Sequence, residues 1–165
     1  MMFRSRFLSA IVSLAAASIA AAANPSARSA AASLAPAPYA PSFGDLMTMA
    51  VQPRHTKLGL AGEARNWTYA TYELSELRNA FARIAKTIPI YRTANTAEVF
   101  AAMTEAPLTA VSTAITARDT AKFRIAYAEL TAACNACHVS LDHAAIIIRA
   151  PSRAAFPDQR FEPAP

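Results

Sequence analysis

Glycine is nearly absent, with three residues among 165. Tight hairpins draw on glycine for positive-φ positions, so this scarcity excludes a β-sheet protein built on many turns. Charge is sparse too, at 16% of residues, and the formal excess of +5 is spread along the chain with no Lys/Arg cluster. A nucleic-acid partner is therefore not expected. Cysteine is limited to two residues three positions apart, which excludes a disulfide framework across the fold. What is abundant is alanine, 42 residues, the strongest helix former. With 54% hydrophobic residues the chain can build a core, and an all-α domain is the expectation.

The termini differ in composition from the interior. Arg4 and Arg6 precede an apolar run from Phe7 that ends in Ala21-Ala22-Ala23, the pattern of a secretory signal peptide over residues 1–23. Its removal leaves fourteen basic residues against eleven acidic ones, no stable membrane insertion and a periplasmic location. Residues 24–41 are almost all Ala, Ser and Pro and read as a linker. Residues 150–165 are again proline-rich and read as a tail; eight of the eleven prolines lie outside 42–149, which is taken as the folded domain.

Four helical segments are expected there. The first spans about Phe43–Ala61, begins with a capping box at Ser42 and Asp45, is kinked or broken at Pro53, and ends at Gly59 and Gly62. The second carries a stripe of Trp67, Ala70, Leu74, Leu77, Phe81, Ile84 and Ile88 at spacings of three and four, with Glu73 and Glu76 on the solvated side, and stops at Pro89. The third starts at Asn95 with Glu98 following and is bent or divided at Pro107. The fourth starts near Asp119, and Phe123, Tyr127, Leu130, Cys134, Cys137 and Leu141 place both cysteines on its buried face. Short links between such helices predict an antiparallel four-helix bundle.

Cys134-Asn135-Ala136-Cys137-His138 spells C-x-x-C-H, the attachment sequence of a c-type haem. One helical turn separates the two thiols, so both can reach the vinyl edges of one porphyrin, with His138 beside the same ring as the proximal iron ligand. Three other readings remain open on spacing alone: a zinc site with His143, a thioredoxin-like redox pair, and a local disulfide.

The motif, its place in the fourth helix and the stretch Phe123–Leu130 before it resemble the class II c-type cytochromes, the cytochrome c-prime superfamily, over about Ser42–His143. Gln52–Leu58 and Asn66-Trp67 resemble a branch of small periplasmic c-type cytochromes. The resemblance implies the bundle, one covalent haem c and His138 as proximal ligand, and is compatible with a homodimer. For the sixth ligand, laying the start of the fourth helix level with Ala61 puts the cysteines opposite Phe43–Leu46. Met47 is then the first choice, with Met49 and His55 as alternatives and His55 about two turns away. Trp67, Phe123 and Tyr127 are candidates to touch the porphyrin, and Arg54, Lys57 and Arg124 to pair with its propionates, while His143 reads as a surface residue. Ile146-Ile147-Ile148 is expected either to cover the haem edge or to pin the tail. No acid/base or nucleotide-binding constellation is visible, so no enzyme activity is assigned. The expected function is one-electron transfer between redox partner proteins; the alternative is a five-coordinate protein binding NO or CO.

Overall fold

The computed structural model describes residues 39–152 and 155–164; the signal peptide expected over 1–23 and residues 24–38 of the expected linker lie outside them. The described chain is mostly helical. Helix α1 is a composite of an α-helical turn Phe43–Leu46, a π-helical segment Met47–Val51 and an α-helix Gln52–Glu63. Helix α2 covers Trp67–Thr87, α3 Thr96–Thr116 and α4 Thr120–Ser140, and a hairpin of two short antiparallel strands, β1 (Ile90–Tyr91) and β2 (Ala94–Asn95), joins α2 to α3. Each helix packs on the next, and α1 also packs on α4.

The helix starts follow the side-chain chemistry. Ser42 and Asp45 form a reciprocal capping box, and Asn66, Asn95 and Asp119 each accept a hydrogen bond from a first-turn amide. The ends do not rely on glycine. Arg65, Arg118 and Asp142 adopt positive φ (58°, 51° and 60°), and the amides of Asn66, Asp119 and His143 close back onto the carbonyls of Ala61, Ala114 and His138. Those are Schellman closures built with residues that carry a Cβ. Arg92 takes the same conformation in the hairpin turn, a link the sequence did not announce because it holds no Asn-Gly or Gly pair.

Pro53 does not break α1. It sits in the first turn of Gln52–Glu63, and the deformation appears just upstream as the π-helical segment, where a wider turn accommodates the missing donor and the ring's conflict with the preceding turn. Pro107 is likewise carried within an unbroken α3. Gly59 and Gly62 do not end α1 but lie inside it, facing α4. A Cβ on Gly59 would stand 2.6 Å from the Tyr127 ring, and one on Gly62 would overlap the Phe123 ring. Both glycines let the two helices approach closely.

The core follows the stripes: Ala70, Leu74, Leu77, Phe81 and Ile84 on α2, and Phe123, Tyr127, Leu130 and Cys137 on α4, are buried. Glu73 is the exception to the expected pattern. Only 1% exposed, it accepts from Arg54 Nη1 at 3.1 and 3.3 Å, so an ion pair between α1 and α2 takes the place of solvation. The stretch after residue 149, expected to lie apart from the domain, packs on it. Phe161 is buried against Tyr69, Phe156 lies under Lys57, and the Glu162 carbonyl accepts from Asn66. Its aromatic residues, rather than its prolines, decide its position.

Candidate functional site

Contacts between α1 and α4 fix where the motif lies. Gly59 meets Tyr127, Gly62 meets Phe123, and His55 bonds to both Tyr127 and Thr131. The two helices are therefore antiparallel, but displaced by about one turn from the end-to-end alignment, because α1 runs on to Glu63 before its closure at Arg65. Cys134 and Cys137 consequently lie level with the stretch 48–51 rather than Phe43–Leu46, and Met47 lies level with His138.

A cavity of about 530 Å³ opens at this level, within the range of about 300–1,000 Å³ common for small-molecule sites. Cys134, Cys137 and His138 line it from α4, and Met47, Val51 and His55 from α1. Its apolar side is made by Phe43, Phe81, Tyr91 and Phe100, and residues 146–152 form a further wall. Phe43 stacks on Tyr91 at 4.1 Å between ring centres and also meets Phe100, which in turn packs on Phe81.

Both cysteines are free, and burial raises both thiols, Cys134 to about 11. A redox pair of the thioredoxin kind needs a lowered thiol, so this environment opposes that reading. His138 Nδ1 lies 2.7 Å from the Ile146 carbonyl oxygen. A carbonyl only accepts, so Nδ1 carries the proton and Nε2 is the nitrogen left to coordinate. Metal-bound histidines are commonly held in this way. Among the described residues no group of three or more His, Cys, Asp and Glu side chains is arranged to hold a bare metal ion.

The candidate sixth ligands separate. Met47 is partly buried on the cavity wall. Met49 does not reach the cavity; it is 59% exposed, since two residues along a helix turn a side chain to the far face. His55 lines the cavity, nearer the motif than expected, but its Nδ1 and Nε2 lie 3.0 Å from the Tyr127 and Thr131 hydroxyls, and Tyr127 Oη also bonds to the His55 carbonyl at 2.8 Å. Burial lowers this imidazole to about 4. Both ring nitrogens lie within hydrogen-bond reach of a hydroxyl, so His55 is tied into the core, and serving as a ligand would cost it one of these contacts.

Several supporting assignments change. Arg54, Lys57 and Arg124 are engaged by Glu73, the Phe156 ring and Glu63, and none lines the cavity. Arg149 does, and nothing in its proline-bounded segment pointed to it. Trp67, Phe123 and Tyr127 pack on one another away from the cavity wall. His143 is not a plain surface residue: it lines the cavity and its Nε2 lies 2.9 Å from the Tyr91 hydroxyl. Ile146, Ile147 and Ile148 do line the cavity, although Ile146 and Ile147 remain largely exposed. Comparison with protein-family models, with curated proteins and with solved structures returns no match.

Proposed function

We propose that this chain is a periplasmic monohaem c-type cytochrome: an antiparallel four-helix bundle with one haem bound through Cys134 and Cys137, His138 as proximal ligand, and single-electron transfer between partner proteins as its task. One observation carries the reading. Two protonated thiols one turn apart and an imidazole with Nδ1 already donated to Ile146 share one largely aromatic-walled cavity. The donor set fits the group. Each thiol can add across a vinyl group without any change of oxidation state, the S–H proton going to the vinyl carbon, and His138 Nε2 is the available nitrogen.

When bound, the haem would supply a reversible one-electron couple at its iron. The chain's own residues would do the rest. Met47, which lines the cavity from α1, would give the thioether ligand and so raise the reduction potential. Phe43, Phe81 and Phe100 would keep water from one side of the group, and Arg149 would be the guanidinium available to a propionate.

The test is a pyridine haemochrome assay on protein exported from a host with c-type maturation machinery. A spectrum of thioether-linked haem, lost when Cys134 and Cys137 are both replaced by Ser, is expected. A colourless wild-type product overturns the reading. Carbon monoxide then distinguishes the two functions: slow binding that accelerates in Met47→Ala supports electron transfer with Met47 ligated, whereas equal, rapid binding in both means an open distal side and a gas-binding role.

A further inference from the structure

The segment 146–148 has no regular secondary structure, and Ile146 and Ile147 are 54% and 71% exposed. Burial of these two side chains therefore does little to hold it. Yet the carbonyl at residue 146 is the one that His138 Nδ1 meets at 2.7 Å. Two holds fix it: the Ile146 amide donates to the His143 carbonyl at 2.9 Å, and a side chain inside the motif grips the chain two residues further on. Asn135 Nδ2 donates to the Ile148 carbonyl at 2.9 Å, and the Ile148 amide donates to Asn135 Oδ1 at 2.7 Å.

We infer that Asn135 is a positioning residue for His138: its two-bond grip on the Ile148 backbone holds the Ile146 carbonyl where it accepts the imidazole Nδ1 proton. The inference rests on the haem reading above and adds what sets the strength of that ligand. Asn135 and His138 lie three residues apart on α4, so both face the same returning strand of chain. The carboxamide offers one donor and one acceptor, matching one backbone carbonyl and one amide. Leucine has the same bulk and offers neither; aspartate offers only acceptors. A firm Nδ1–H···O=C bond makes Nε2 more basic, which favours oxidised over reduced iron. Loosening it shifts that preference the other way.

The experiment compares wild type, Asn135→Leu and Ile148→Pro as haem-loaded proteins. The proline variant removes the Ile148 donor while leaving Asn135 intact. Gly62→Ala, far from the clamp, serves as a variant of lowered stability only. Outer-sphere losses of this kind weaken a metal–ligand bond by roughly tenfold or more. A tenfold loss of preference for oxidised iron reads as a rise of about 59 mV in a one-electron potential. The expected result is a rise in both clamp variants, with faster solvent exchange of the His138 Nδ1 proton by NMR, and no shift in Gly62→Ala. Unchanged potential and exchange in folded, haem-bearing clamp variants would overturn the inference while leaving the haem reading intact. A haem-free wild type would overturn both.

Discussion

The buried imidazole of His55 makes the fold sensitive to acid in a narrow window. His55 is 3% exposed, and burial lowers it from an ordinary value of 6.5 to about 4. Between those values the unfolded chain holds one proton more than the folded chain at this position. Stability therefore rises with pH across the window, at about 1.4 kcal/mol per pH unit. The contribution is complete above pH 6.5, falls as pH drops, and is gone near pH 4, a difference of about 3 kcal/mol. Urea denaturation of the wild type and His55→Gln from pH 7.5 to 4 would measure it. Glu63, held below its ordinary value chiefly by the Arg124 hydrogen bond, acts on the acid side of 4.5 and is common to both proteins, so the difference between the two curves isolates His55. The variant should start less stable at pH 7.5, by about 1–3 kcal/mol for the disrupted hydroxyl network. It should then lose less on acidification, so the two curves converge near pH 4. Parallel curves would refute the reasoning, because they would mean that the ring is not kept neutral by burial.

Other expectations concern the scaffold. Replacing Arg54 by Met strands the Glu73 carboxylate and should cost about 3–5 kcal/mol, whereas the double change Arg54→Met, Glu73→Leu should recover most of it; losses that simply add in a double-mutant cycle would show that the pair is not coupled. Gly62→Ala should destabilise by about 1–3 kcal/mol through overlap with Phe123, and Phe123→Leu should no longer add its full separate cost in that background. Arg118→Gly relieves a left-handed backbone and should stabilise by about 1 kcal/mol, a rise in melting temperature of roughly 3–6 °C; a fall would mean that its side chain matters more than its φ.

Periodicity made the helices legible because a buried stripe repeats, and the caps because Ser, Asn and Asp satisfy amides over three residues. The motif was legible for the same reason: Cys134, Cys137 and His138 are local on α4. Pairings across distance were not. Nothing near Glu73 in the chain says that Arg54 lies above it, so a carboxylate off the stripe read as solvated. Glycine was misread on α1 because its two uses, ending a helix and admitting a neighbour, look alike until Tyr127 and Phe123 are in place. The displacement between α1 and α4 had the same origin, and it brought His55 to the cavity, whereas the helix face decided between Met47 and Met49.

The wall of residues 146–152 also constrains the order of assembly. It is contributed by chain that emerges after every helix, and beyond it Phe156 and Phe161 fasten the remainder to Lys57 and Tyr69. A broad, flat guest such as the haem proposed above would be admitted most easily while that last stretch is still unfastened, and its loading would then belong to the interval before docking. Shortening the chain ahead of Phe156 would lengthen the interval and leave the guest less well sealed.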